Sequence, residues 1–151
     1  MRLWHKELIP VLPRQQLLSQ WRECCCIARD ISEKGTPNHL LVNRVLEYPV
    51  DNFVQYTEMI IKEFANRGYK ISKKALKNFR SNIEKGKYRF NNQRICSIFI
   101  DWHNQIYLRQ CLYNLEEKYI CNGISDQEWK CIYERFGNFE LFKKEKSPSC
   151  I

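Results

Sequence analysis

The chain has 151 residues, of which 25 are Lys or Arg and 17 are Asp or Glu, so its formal charge at pH 7 is +8. Such a surplus favours polyanionic partners such as nucleic acid, because protein cations that neutralise phosphates release counterions. Hydrophobic residues make up 44% of the chain, which is enough for one domain around one core. The chain contains no run of 18 apolar residues, so no membrane span is predicted.

The cysteines and the start of the chain bear on compartment and metal binding. Residues 1–6 lack the apolar segment of a secretory signal peptide, so we expect a cytoplasmic protein whose eight cysteines are reduced thiols. No C-x-x-C pair occurs, and the three histidines share no zinc-ligand spacing with the cysteines. We therefore predict no metal site.

The predicted elements begin with an extended arm over residues 1–12, because Pro10 and Pro13 disfavour helix on their N-terminal sides. Pro13 suits the start of a helix that runs to about Lys34, where Gly35 ends it. The apolar residues at helical spacing that predict its buried face are Leu17, Trp21, Cys24 or Cys25, Ala28 and Ile31.

Four further helices follow. One is predicted from Asp51, as N-cap, to residue 67, and another over residues 72–85, while residues 39–48 are ambiguous. A long helix is predicted over residues 101–121, and a short one begins at the capping-box sequence of residues 125–128. The sequence thus predicts an all-α fold: a single compact helical domain of about five helices, with an extended N-terminal arm and a frayed tail over residues 144–151.

The polar face of the first helix contains the candidate chemistry. Gln15, Ser19, Arg22, Glu23 and Cys26 have offsets of 0, 4, 7, 8 and 11, so they share one side of the helix. A carboxylate beside an arginine is most often an exposed surface pair.

The N-terminus offers a second interpretation of that face. A sizeable fraction of an α-amine is neutral near physiological pH, and a neutral amine can attack a sugar C1′ if a nearby carboxylate moves the protons. The arm could fold back along the helix and place Met1 near Glu23.

Three segments resemble one protein family. QQLLSQWRE at residues 15–23 resembles the first helix of the phage-type pyrimidine-dimer DNA glycosylases, the endonuclease V family, whose pattern there is QHLMAEYRE. A second similarity begins at NHL, residues 38–40, and continues from Phe53 to RGYKI at residues 67–71. This segment is similar to the family's middle helix, which ends in RGFNI. LEEK at residues 115–118 is similar to its LDEK. The resemblance covers most of the chain, and the first segment is the specific one.

The resemblance implies an activity and roles for residues. Glu23 would be the catalytic carboxylate, Arg22 a DNA contact beside it, and the Met1 α-amine the nucleophile. The implied reaction attacks C1′ of a damaged nucleotide, releases the base through a Schiff base, and nicks the strand by β-elimination. The implied partner is double-stranded DNA with a damaged base or abasic site, with no cofactor, membrane or obligate protein partner. The implied DNA contacts are Arg2, Gln15, Gln16 and Lys118.

Two further residues are candidates from their chemistry alone. Trp4 lies on the arm and could stack on a base, although a hydrophobic anchor is an equal alternative. His39 could contact DNA, although a structural role is more common for a lone histidine. We expect Trp21, by contrast, to pack in the core.

The sequence also departs from the family's pattern. Arg2 is too bulky for ordinary methionine removal, so we expect Met1 to be retained, which leaves one extra residue in the arm. Gln16, Cys26 and Asn114 stand where the family has histidine, arginine and a basic residue. Two alternatives therefore stay open: a DNA-binding module of the same fold without turnover, and a glycosylase or lyase for another lesion.

Overall fold

The computed structural model describes residues 1–138, which form α-helices and short 3-10 helices and, within that range, no strand. The α-helices are α1 (Arg14–Lys34), α2 (Val50–Asn66), α3 (Lys73–Gly86), α4 (Gln105–Ile120) and α5 (Asp126–Phe136). The prediction of an all-α fold with about five helices is confirmed. No helix in the described range is both long and apolar enough to cross a bilayer. The predicted frayed tail, residues 144–151, lies outside the described residues.

The N-terminal arm differs from the prediction of an extended chain over residues 1–12. Lys6–Val11 forms a 3-10 helix that contains Pro10, so the prediction was wrong for this half of the arm. A distant residue stabilises the turn: the Arg67 guanidinium, at the end of α2, donates to the carbonyls of Pro10 and Leu12 at 3.1 and 2.7 Å. Because Arg67 lies outside the arm, this contact could not be predicted from the sequence of residues 1–12.

Several helix boundaries follow local sequence signals as predicted. Gly35 ends α1 in the left-handed conformation, with φ of 79°, which a glycine adopts at little steric cost. The hydroxyl of Ser72 accepts from the Ala75 amide at the start of α3. Ser125 and Glu128 form the predicted reciprocal capping box at the start of α5.

Two boundaries differ from the prediction. α2 begins at Val50, directly after Pro49, and Asp51 lies in its first turn instead of at the N-cap. α4 begins at Gln105 because the Asn104 side chain accepts from the Tyr107 amide, which places the N-cap three residues after the predicted start. The ambiguous stretch contains a 3-10 helix over Asn43–Glu47.

The core lies between α1, α2, α3 and the segment before α4. Trp21 of α1 is 7% exposed and packs on Phe79 of α3 with ring centroids 5.7 Å apart, which confirms its core role. Phe79 also contacts Phe53 of α2 at 6.0 Å. α1 is thereby fixed on its apolar side.

Candidate active site

The N-terminal arm is hydrogen-bonded to side chains of α1. The backbone N–H of Arg2 donates to Glu23 Oε2 at 3.0 Å, across 21 positions of sequence. Gln20, one turn earlier, binds the arm with both ends of its amide: Oε1 accepts from the Trp4 N–H at 2.7 Å, and Nε2 donates to the Arg2 carbonyl at 3.0 Å. The first residues of the chain are thus held beside the Glu23 carboxylate.

Gln20 holds the arm beside Glu23, and the sequence argument did not single it out. It is fully buried, and the Tyr56 hydroxyl of α2 donates to the Trp4 carbonyl at 2.7 Å and lies 3.1 Å from Gln20 Oε1. A signal was present: position 20 falls between Leu17 and Cys24 on the apolar side of α1, where a buried amide requires partners.

A pocket of about 360 Å³ opens where the arm meets α1 and α4. It brings together seven of the residues predicted for the site, namely Met1, Arg2, Trp4, Gln16, Glu23, His39 and Lys118. Ser19, Leu41 and Asn114 complete the lining. Residues from the arm, two helices and the loop after α1 therefore converge on one cavity.

Two of the predicted residues lie outside this pocket. Gln15 lines a wider neighbouring groove of about 840 Å³, which shares Gln16 with the pocket and continues towards the start of α5. Arg22 is exposed on α1 and is not part of the pocket lining. Both could meet a ligand larger than the pocket, such as a nucleic-acid backbone.

The Arg2 side chain is held by partners on two sides. Its Nη2 donates to Asn114 Oδ1 of α4 at 3.2 Å, and its guanidinium carbon lies 5.1 Å from the centre of the Trp4 ring. Trp4 is only 6% exposed. In the sequence, Asn114 was noted only because the family has a basic residue at that position. In the structure, it positions the Arg2 guanidinium at the pocket.

The arm is also tied to α4 and to the segment before it. The Tyr107 hydroxyl donates to the Leu3 carbonyl at 2.6 Å, and the Lys6 N–H donates to His103 Nδ1 at 3.0 Å. His103 accepts this bond in the neutral form, because burial lowers its pKa to about 2.

Cys24 and Cys25 of α1 differ from an activated thiol. Burial raises the pKa of Cys25 to about 11 and that of fully buried Cys24 further, so both thiols are protonated at neutral pH. Within residues 1–138, no group of three or more His, Cys, Asp or Glu side chains is placed to hold a metal ion.

A family model described as pyrimidine dimer DNA glycosylase matches residues 1–77, which include the arm, α1 and α2. No curated protein and no solved structure matches the chain.

Proposed function

Because the chain belongs to the pyrimidine dimer DNA glycosylase family, we propose that it is a repair enzyme that removes damaged bases and nicks DNA at the abasic site. The observation that supports the chemistry best is the contact between the arm and Glu23. A nucleophilic amine and a carboxylate must lie close together for imine formation. This contact holds the first residues of the arm beside the Glu23 carboxylate of α1.

In the proposed reaction, a neutral α-amine forms a bond to C1′ of the damaged nucleotide. The bond from C1′ to the base breaks, and the base leaves with its electron pair and takes up one of the two protons of the amine. The C1′–O4′ bond then breaks, O4′ takes up the second amine proton, and the nitrogen and C1′ form an imine. A carboxylate removes a proton from C2′, the electron pair of that C–H bond forms a C2′=C3′ double bond, and the 3′ phosphate leaves with the electron pair of the C3′–O bond. Glu23 is the carboxylate in this proposal, and Met1 bears the amine.

A specific contact favours a second candidate for the nucleophile. The nitrogen that lies 3.0 Å from Glu23 Oε2 is that of Arg2, and an amide nitrogen in that position cannot form an imine. Removal of Met1, which the bulk of Arg2 disfavours, would convert the same nitrogen into a primary amine that is already beside the carboxylate. Mass spectrometry of the N-terminus, followed by mapping of the trapped adduct, distinguishes Met1 from Arg2.

The surrounding cations support a DNA substrate. Arg2 and Lys118 line the pocket, and the whole chain has a net charge of +8. Basic groups at a pocket can neutralise the phosphates on either side of an extruded nucleotide. Arg22 and Gln15 are exposed on α1 near this region and would contact the strand outside the pocket.

The test is borohydride trapping of the untagged protein on an oligonucleotide with one abasic site. A covalent adduct on the N-terminal residue is the expected result. Binding without an adduct would instead identify a module without turnover, and an adduct on a lysine would overturn the assigned nucleophile.

Substitution of the carboxylate tests its role separately. Glu23→Gln keeps the size of the side chain but cannot remove the C2′ proton as a carboxylate does, so we expect strand nicking to fall by at least about a hundredfold while binding is largely retained. Glu33→Gln, at an exposed position in the last turn of the same helix, is the matched control. If Glu23→Gln nicks DNA at the parent rate, the mechanism is wrong.

A further inference from the structure

Helix α3 presents a basic surface that the candidate active site does not use. Five of its 14 residues are exposed Lys or Arg, and Glu84 is its only carboxylate. Glu84 pairs with Lys87, in the turn that follows the helix. Within residues 1–138, none of the five cations forms an ion pair with a carboxylate. We name them the α3 cations: Lys73, Lys74, Lys77, Arg80 and Lys85.

The arrangement of the α3 cations disfavours the helix that carries them. Lys77 lies four positions after Lys73 and three before Arg80, so like charges are neighbours on the helix surface. Lys73 and Lys74 lie in the first turn, where the helix dipole disfavours cations, and that turn contains no acidic residue. A bound polyanion offsets both costs, because its phosphates neutralise the cations. The surface is therefore suited to an anionic partner.

The apolar side of α3 is fixed on α1, which leaves the α3 cations on the outside. Phe79 is 6% exposed and packs on Trp21 of α1. At the end of α3, Gly86 approaches α1 so closely that a Cβ there would lie 3.0 Å from Ile31 Cγ2. The two helices thus form a close contact that holds the charged surface in place.

The α3 cations lie on the side of α1 that faces away from the pocket. Trp21, which contacts α3, and Glu23, which lines the pocket, are two positions apart and so point in directions about 200° apart around the helix. No residue of α3 lines the pocket or the neighbouring groove of about 840 Å³. A duplex at the pocket therefore lies across α1 from these cations.

The chemistry of α3 favours a nucleic acid over a lipid surface as the anionic partner. A helix that binds a membrane surface inserts an apolar face, whereas Phe79 packs in the core and no large apolar side chain of α3 is exposed. From Lys73 to Lys85 the helix rises about 18 Å. This length matches the phosphates of about five successive nucleotides of one strand, which are spaced roughly 3.4 Å apart along a duplex axis.

We propose that the α3 cations bind the phosphates of a second DNA duplex, distinct from the duplex at the pocket. The protein then holds two segments of DNA at once, one on each side of α1. This inference goes beyond the proposed function, because it requires neither Glu23 nor imine formation. It assigns a ligand to a surface on which the catalytic proposal does not depend.

The first test compares the salt dependence of binding to an undamaged duplex of about 20 base pairs. Lys73→Gln/Lys77→Gln should reduce the slope of log Kd against log salt concentration by about two, since each phosphate contact contributes about 0.9. Lys62→Gln/Lys130→Gln is the matched control, because it makes the same change of net charge at exposed positions of α2 and α5. The control should keep the parent's slope. Urea denaturation should show no loss of stability in Lys73→Gln/Lys77→Gln, because the substitutions relieve repulsion within α3.

The second test asks whether one protein holds two duplexes. An abasic duplex with one dye and an undamaged duplex with another are mixed with the protein, and fluorescence cross-correlation measures the fraction that diffuses together. The parent should join them, and Lys73→Gln/Lys77→Gln should lower the joined fraction at least about threefold. Borohydride trapping on the abasic duplex should be unchanged in this variant.

Several outcomes would overturn the inference. They are an unchanged salt slope or joined fraction in Lys73→Gln/Lys77→Gln, and an equal loss in the control, which would show an effect of net charge alone. A parent that binds each duplex but never joins them would mean that the α3 cations contact the same duplex as the pocket. Vesicles of anionic phospholipid that bind the parent and not the variant, with duplex binding unaltered, would assign the surface to lipid. A parent that joins the duplexes but forms no adduct would refute the proposed function and support the inference.

Discussion

Gln20 is the residue through which the fold and the candidate site depend on each other. Its amide binds the backbone of Trp4 and Arg2, and it also contacts the Tyr56 hydroxyl of α2. An amide suits this position because it donates and accepts at once, as the arm requires. Glu23, one turn later, receives the Arg2 N–H only if the arm keeps this register.

Gln20→Met tests that dependence. The substitution keeps the volume but leaves the Trp4 N–H and the Arg2 carbonyl without this partner, which should lower the free energy of unfolding by about 1–3 kcal/mol. Strand nicking should fall more than DNA binding, because the N-terminal residue loses its position beside Glu23. Urea denaturation and a nicking assay measure the two effects, with Gln55→Met at an exposed position of α2 as the control. Equal nicking by parent and Gln20→Met would show that the arm is positioned without Gln20.

At the scale of elements, Glu128 joins two helices that are distant in sequence. Its Oε1 accepts from the Arg14 N–H at the start of α1, at 2.8 Å, and its Oε2 accepts from the Ser125 N–H at 3.1 Å. Burial alone would raise the pKa of Glu128, but the hydrogen bonds from Arg14 and Ser125 outweigh it, so the pKa lies below its ordinary value. One carboxylate thus satisfies the N-termini of both α1 and α5.

Glu128→Ala should lower the free energy of unfolding by about 1–2 kcal/mol at pH 7, in the range of a lost N-cap. Because the pKa of Glu128 is lower in the folded than in the unfolded state, its contribution is present at neutral pH and is lost as the pH falls through the folded pKa. The difference between parent and variant should therefore shrink in acid. Glu134→Ala, at an exposed position on the same helix, should change stability by less than about 0.5 kcal/mol. Urea denaturation at several pH values provides the measurement, and a difference that grows in acid would contradict this account.

The elements also show which features could be predicted from sequence. Gly35, Ser72 and Ser125 act within one helical turn, so local patterns were enough to place those boundaries. The 3-10 helix of the arm could not be found this way, because Arg67 contacts it from 55 positions beyond Leu12. The role of Asn114 was missed for the same reason, since its partner, Arg2, is 112 positions away.

The candidate residues on α1 and the arm could be selected from the sequence. Helical spacing and family resemblance together selected Glu23 and Met1, which line one pocket. They could not select Gln20, whose contacts with the arm depend on how the arm packs against α1. The sequence left two alternatives for Trp4, a side chain that stacks on a base or a hydrophobic anchor. How far the ring is buried depends on the packing of the arm, and in the structure it is only 6% exposed.

At the scale of the whole molecule, a buried histidine pair links the arm to the remainder of the fold. The rings of His5 and His103 stack with centroids 5.1 Å apart, and both are at most 5% exposed. Their Nε2 atoms are buried and lack a hydrogen-bond partner within residues 1–138. Burial lowers the pKa of both side chains, and the nearby cations Lys6 and Arg44 lower that of His103 further.

The histidine pair predicts a loss of stability in mild acid. The unfolded chain takes up protons below about pH 6.5, whereas folded His103 stays neutral down to about pH 2, so the stability present above pH 6.5 is lost as the pH falls. For His103 alone the loss between pH 7 and pH 5 should be about 2 kcal/mol, and His5 adds in the same direction. Urea denaturation at both pH values measures it. His103→Asn, which keeps an acceptor for the Lys6 N–H, should show a smaller loss. An equal free energy of unfolding for the parent at pH 7 and pH 5 would mean that the pair is protonated, or solvated, in the folded protein.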